Sequence, residues 1–267
     1  MSTAAVRPAA VAGAFYPGNP GVLAADLADY LGSDNSPALR PKALIVPHAG
    51  YIYSGPIAGT GCALLRPLAK TIRRVLMFGP AHREWVRGLA APSSRAFATP
   101  LGQVPVDTAA VAAASLLPQV EIDDLAHRQE HCLEVQLPML QTVLDDFSIV
   151  PFVVGGATGS QVAEVMDLLW GGDETLVLVS SDLSHYLPYD VARQMDRATA
   201  DNVVQGHPLS RHEQACGATP INGLIEMARR RHLAATLLDL RNSGDTAGDK
   251  ARVVGYGAFA FTEAGDA

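Results

Sequence analysis

Three histidines sit just past short apolar runs, and that placement is the first sign of chemistry in the chain. The run 43–46 leads into Pro47-His48-Ala49-Gly50-Tyr51. The run 75–78 leads into Gly79-Pro80-Ala81-His82. The run 176–179 leads into Ser180-Ser181-Asp182-Leu183-Ser184-His185. A single histidine is most often a structural residue satisfied by its neighbours. Three at equivalent strand ends point to a shared site, because open α/β sheets form their sites beyond the carboxyl ends of the strands. Neutral imidazoles suit Fe, Zn or Cu, which makes His48 and His82 candidate metal ligands.

A metal needs a third donor. Cys216 precedes Gly217-Ala218-Thr219-Pro220, where Thr219 reads as an N-cap and Pro220 as the first helical residue. A thiol ahead of a helix N-terminus has its thiolate favoured by the dipole, and the thiolate is the ligating form. Cys216 also reads as a small buried hydrophobe, as most free cysteines are. Cys62, beside Ala63 and Leu64, reads as core, and Cys132 adjoins a further motif. Asp182 and His185 stand three apart beyond a strand. Such a pair suits general acid–base work, or a brace behind metal ligands. The alternative is an Asp that caps a turn and an exposed His.

His127-Arg128-Gln129-Glu130-His131 spells His-x-x-Glu-His, the order of the inverted zinc-peptidase motif. There both histidines bind zinc and the Glu activates water. The hydrophobic pattern becomes regular only after His131, which weighs against one helical turn carrying both histidines. Glu130 and His131 remain candidates for the pocket. There is no G-x-S-x-G elbow, Walker loop or G-x-G-x-x-G. Gly155 to Gly159 reads as a tight turn rather than an anion cradle.

The elements that must position these residues follow from periodicity. Residues 43–46, 75–78, 149–154 and 176–179 are apolar on successive positions and rich in β-branched side chains, as expected for strands covered on both faces. Helical patterns run over 59–68, 108–117, 133–144, 160–169, 191–204 and 220–232. Segments 235–240 and 253–262, separated by the polar turn Asn242-Ser243-Gly244-Asp245, read as an antiparallel hairpin or two neighbouring edge strands. The order predicts one α/β domain over residues 1–267, with a mainly parallel or mixed central sheet and helices on both faces. The loop from Ser33 to Pro37 is too short to divide it.

Composition narrows the partners. Of 267 residues, 48% are hydrophobic, enough for a large core. The net charge is -7 without a basic block, which argues against nucleic acid. Arg229, Arg230 and Arg231 read as a solvated helix end. Three scattered cysteines argue for a reducing compartment. Residues 1–14 lack signal-peptide order, and no apolar run reaches about 18 residues. The expectation is a cytoplasmic protein with no membrane partner.

Taken together, the motifs resemble the Memo family, many of whose bacterial members are called AmmeMemoRadiSam system protein B. The resemblance rests on Pro47-His48-Ala49-Gly50-Tyr51, Gly79-Pro80-Ala81-His82, the stretch from Glu130 to Pro138, and Ser180 to His185, in that order. Ala12-Gly13-Ala14-Phe15-Tyr16-Pro17, Cys216-Gly217 with Pro220-Ile221, and Gly255-Tyr256-Gly257-Ala258 extend it over nearly the whole chain. The resemblance implies a fold similar to class III extradiol dioxygenases, which use non-haem Fe(II). It implies one mononuclear metal ion, Fe(II) with Cu or Zn as alternatives, held by His48, His82 and Cys216. Asp182, His185, Glu130 and His131 would be the other pocket residues, His185 standing where a dioxygenase has its base. Cys132 departs from the Ser expected there.

Three functions compete. The first is a metal-dependent redox enzyme acting on an unknown small molecule, in company with radical-SAM and other AmmeMemoRadiSam proteins. The second is a module binding phosphopeptides or other partners, with a vestigial metal pocket, as eukaryotic relatives suggest. The third is a zinc-dependent hydrolase. A thiolate in place of the dioxygenase carboxylate means that ring cleavage does not follow from the fold.

Overall fold

The computed structural model describes residues 6–32 and 39–263. Its strands are β1 (Ala43–Val46), β2 (Arg74–Pro80), β3 (Leu89–Ala91), β4 (Ala96–Thr99), β5 (Gly102–Pro105), β6 (Val120–Ile122), β7 (Ser148–Val154), β8 (Thr175–Ser180), β9 (His185–Leu187), β10 (Leu233–Asn242) and β11 (Val253–Glu263). Its helices are α1 (Pro20–Leu31), α2 (Tyr51–Ala63), α3 (Thr108–Ala114), α4 (Asp124–Arg128), α5 (Leu137–Val143), α6 (Gly159–Leu169), α7 (Tyr189–Val204), α8 (Ala218–Arg231) and the single turn α9 (Ser243–Thr246).

One mixed sheet organises the chain, in the order β10-β11-β1-β8-β2-β7-β3-β6, with β9 added against β11. The central strands β1, β8, β2 and β7 are parallel. All four residues of β1 and all six of β8 are buried, as predicted for strands covered on both faces. β11 lies antiparallel to β1 and to β10. The C-terminal pair is thus a true antiparallel ladder, with α9 in its connection. This α/β architecture, a large sheet flanked by helices, is compatible with a dioxygenase-like fold. The predicted loop from Ser33 to Pro37 lies outside the described residues.

Two helices depart from the expectation. α1 escaped the periodicity reading, yet its signals are in the chain. Asn19 accepts from the amides of Gly21 and Val22, Pro20 opens the helix, and Leu23, Leu27 and Leu31 are buried one turn apart. α2 starts at Tyr51, not at 59. Gly55, Pro56 and Gly59 are poor helix formers, but burial of most of the helix against its neighbours overrides local propensity.

β8 lies between β1 and β2, and all three run the same way. Their carboxyl ends therefore open on one edge of the sheet. His48 follows β1 by two residues, His82 follows β2 by two, and Asp182 follows β8 by two.

Candidate metal centre

Three imidazoles meet at that edge. His48, His82 and His131 each offer a ring nitrogen, all within 4.8 Å of one another. Their ring centroids are 4.7 to 5.4 Å apart. His131 comes from a different part of the chain, past α4, and not from a strand end.

The tautomer of His48 follows from its neighbours. Its Nδ1 lies 2.9 Å from Ser180 Oγ. That hydroxyl donates its only proton to the Cys132 carbonyl at 2.6 Å. Gln136 Nε2 also donates to Ser180 Oγ, at 2.8 Å, and to the Pro47 carbonyl. Toward His48 the hydroxyl can only accept, so Nδ1 carries the proton and Nε2 presents a lone pair. Burial pushes the His48 imidazolium down to about 4, with the nearby Asp182 charge working the other way. The ring is neutral at pH 7, the form a metal needs.

His82 is set by a carboxylate. Its Nδ1 donates to Glu130 Oε1 at 2.9 Å and its amide donates to Oε2 at 2.7 Å. A carboxylate behind an imidazole fixes its orientation and leaves the other nitrogen facing the pocket. The amides of His131 and Cys132 also donate to Glu130 Oε1. Burial opposes the charge on Glu130, but the His131 and His82 side chains and the His82 amide together hold the carboxyl well below the usual range. With Oε1 taking three donors and Oε2 the His82 amide, Glu130 braces the pocket.

Cys216 stands on the other side of His48, its Sγ 3.3 Å from Nε2. Gly217 makes this approach feasible: a Cβ there would fall 2.7 Å from Ser181 Cβ. The helix N-cap is Gly217, not Thr219, so Cys216 directly precedes the first cap residue. The dipole does not make it a thiolate. Burial and the Asp182 charge push the thiol up to about 12.

Asp182 is buried. Its Oδ1 accepts from the amides of His48 at 2.7 Å and Ala49 at 3.3 Å, and its carbonyl accepts from the Cys216 amide at 3.2 Å. It seats two candidate ligands through their backbones. The expected Asp182–His185 pair does not form. After Leu183 the chain turns to pair with β11, and His185 lies on β9 with its ring 6.0 Å from Tyr186. None of the described hydrogen bonds or ring contacts joins His185 to the three imidazoles.

The His-x-x-Glu-His reading also fails in space. His127 lies on α4, where its Nε2 donates to the Ala90 carbonyl at 2.9 Å and its ring packs edge-on to Phe97. His131 lies beyond the end of that helix. Behind both runs a buried brace that the sequence did not reveal. Arg7 and Glu134 pair at 2.6 Å. Arg7 also donates to the carbonyls of His127 and Glu130. Glu134 accepts from Tyr16 and from the amides of Ala10 and Val11. Ser180 and Gln136 were missed too. Their polar types on buried segments were the available signal.

The three imidazoles fit a metal ion, and Cys216 joins them through His48 alone. Two of the imidazoles have their far nitrogen locked, and His131 Nδ1 lies buried 3.2 Å from Glu130 Oε1 without hydrogen-bond geometry. A nitrogen at about 2.05 Å and a sulfur at about 2.3 Å from one tetrahedral ion lie roughly 3.6 Å apart. The 3.3 Å between His48 Nε2 and Cys216 Sγ is close to that separation. Beside Cys216 a cavity of about 240 Å³ opens between Ala81, Glu84, Trp85, Gly155 and Thr219. No helix among the described residues is long and apolar enough to cross a membrane.

Comparison with known proteins adds an independent line. The family model described as "Memo-like protein" matches residues 7–260. A "MEMO1 family protein" of Archaeoglobus fulgidus is 38% identical, covering 94% of this chain and 97% of the relative. Proteins of the same description from Metallosphaera sedula and Aquifex aeolicus are 35% and 34% identical. They cover 82% and 96% of this chain, and 82% and 99% of their own length.

Proposed function

The chain belongs to the Memo-like protein family, and from that premise and the pocket geometry we propose that it is a mononuclear metal protein with a redox role. One ion, Fe(II) by preference over Cu or Zn, is held by His48, His82 and Cys216. The observation that carries this reading is the pair of imidazoles locked with Nδ1 protonated, one of them facing the thiol at 3.3 Å. Glu130 and Asp182 both accept from backbone amides and act as braces, and the thiol supplies the third donor.

Each residue has a defined task. His48 and His82 bind through nitrogens whose tautomers Ser180 and Glu130 select. Cys216 would hold the ion as the thiolate, since a coordinating thiol is deprotonated outright. Asp182 keeps the backbones of His48 and Cys216 in register. His131, packed on Phe15 at 4.6 Å, moves a proton at a ring nitrogen beside the ion, the role expected of His185. A bound redox-active ion would supply one-electron chemistry, and the cavity lined by Trp85 reaches the Cys216 side of the pocket.

Elemental analysis of anaerobically purified protein tests the assignment. Wild type is expected to carry one ion per chain, and Cys216→Ser and His48→Ala to lose it. Equal metal in wild type and Cys216→Ser removes the thiol from the ligand set and leaves His131 as the third donor. Equal metal in His48→Ala discards the site. Zinc as the sole ion taken up, with Fe and Cu offered, discards the redox role.

A further inference from the structure

Asp196 is buried at 2% exposure on α7. Among the described residues no cation pairs with it. Its Oδ1 accepts from the Ser184 amide at 3.0 Å. A charged group is costly in such a place unless it is hydrogen-bonded or paired. What Asp196 holds is the turn that leaves β8 for β9.

That turn is fixed from two sides. The Leu183 amide donates to the Gly255 carbonyl, and the Gly255 amide donates to the Ser184 carbonyl, each at 2.8 Å. Asp196 lies directly over this contact. A Cβ on Gly255 would fall 2.0 Å from Asp196 Oδ2, so the carboxylate reaches Ser184 only because residue 255 is glycine. Two residues further on, Tyr186 has φ +58 and is 62% exposed. An aromatic residue in the left-handed region is strained, and such strain persists only where surrounding contacts over-determine the backbone. The ladder pairs of His185 and Leu187 with β11 hold Tyr186 on both sides, and the Ser184 clamp fixes the entry to that ladder.

The same turn begins at Asp182, which seats the His48 amide through its carboxylate and the Cys216 amide through its carbonyl. We propose that Asp196 is a positioning residue for the metal pocket: through the Ser184 amide it sets the Asp182–Tyr186 turn, and with it the backbone seats of His48 and Cys216. The link to the metal rests on the function proposed above; the setting of the turn does not.

The test uses the full chain and two readouts. Hydrogen–deuterium exchange of the peptide spanning 182–186 in the metal-free protein reports the turn. Titration with Co(II), followed by thiolate-to-cobalt absorbance, reports the pocket. Asp196→Ala removes the acceptor, and is expected to speed exchange and to weaken Co(II) binding about tenfold, the lower end of what distant braces contribute. Asp196→Asn keeps an acceptor oxygen without the charge, and is expected to match wild type in both. Rescue by Asn separates an oriented hydrogen bond from general packing. Unchanged exchange in Asp196→Ala overturns the proposal. So does faster exchange with Co(II) affinity unchanged, and so does failure of Asn to rescue. If wild type itself takes up no Co(II), the metal reading falls and the positioning claim with it, while the exchange result still decides the clamp. Should Asp196→Ala not fold, Asp196→Ser, whose hydroxyl falls short of the Ser184 amide, is read by the same criteria.

Discussion

His48 and His127 are two buried histidines that look alike by most measures. Each is 2% exposed, and burial pushes each imidazolium down to about 4. They differ in what their nitrogens face. His127 spends Nε2 on the Ala90 carbonyl, inside the brace formed by Arg7 and Glu134. His48 has Nδ1 fixed by Ser180 and turns Nε2 to a thiol and two further imidazoles. Burial and a shifted titration therefore do not identify a ligand. An uncommitted nitrogen at a convergence of donors does.

The largest test of this contrast removes each ring. His48→Ala is expected to abolish metal uptake, a loss of at least about 100-fold in affinity, exceeding the range for outer braces. Apart from the cavity it leaves, the fold should be retained. His127→Ala should keep the metal stoichiometry but cost about 2–4 kcal/mol of stability, through the cavity and the orphaned Ala90 carbonyl. Elemental analysis and urea unfolding of both variants check the pair. If His127→Ala lost the metal while His48→Ala kept it, the distinction between the two environments would be wrong.

This contrast also marks what was legible in the sequence. The parallel strand ends were readable because their apolar runs are short, continuous and followed by Pro-His or Gly-Pro-x-His. Those runs put His48, His82 and Asp182 just past the carboxyl ends of β1, β2 and β8, where the structure has them. His185 could not be placed, because spacing alone does not say that the chain after Leu183 turns to pair with Val254. His131 was weighed as half of a peptidase motif, since nothing local shows that α4 ends at Arg128. The locks on the imidazoles lay beyond reach. Ser180 meets His48 across 132 positions and Glu130 meets His82 across 48, and only the folded sheet brings them together.

Acid sharpens the comparison next. Both rings are neutral in the folded protein down to about 4 and titrate from 6.5 when unfolded. The unfolded chain then binds more protons across that window, so stability rises with pH and falls as pH drops from 6.5 toward 4. Each ring accounts for up to the order of 3 kcal/mol across the window, since one unit is about 1.4 kcal/mol. His127→Gln, which can still donate to Ala90, should lower the slope of metal-free stability against pH by about 1.4 kcal/mol per unit. Saturating metal should leave both shares in place across this window, since a metal-bound His48 takes up no proton in the folded state and the unfolded chain still does. Urea midpoints between pH 4.5 and 6.5 measure both, and an unchanged slope in His127→Gln would contradict the assignment.

The smallest of these effects probes the lock and not the ligand. Ser180 is fully buried, accepts from His48 and Gln136, and donates to Cys132. Ser180→Ala leaves His48 Nδ1 without an acceptor, so the ring is free to rotate or change tautomer. Metal affinity should fall roughly 10–100-fold, the range for groups that orient a ligand without touching the ion. The His127 environment should be untouched, so the acid slope it contributes should persist. A double-mutant cycle on the urea unfolding of the metal-free protein shows whether Ser180 is coupled to His48. In a His48→Ala background the Ser180→Ala change should cost less than in wild type, because one of its three partners is gone. Full additivity would mean that Ser180 supports the pocket by packing alone. The tautomer argument would then fail, even if His48 itself remained a ligand.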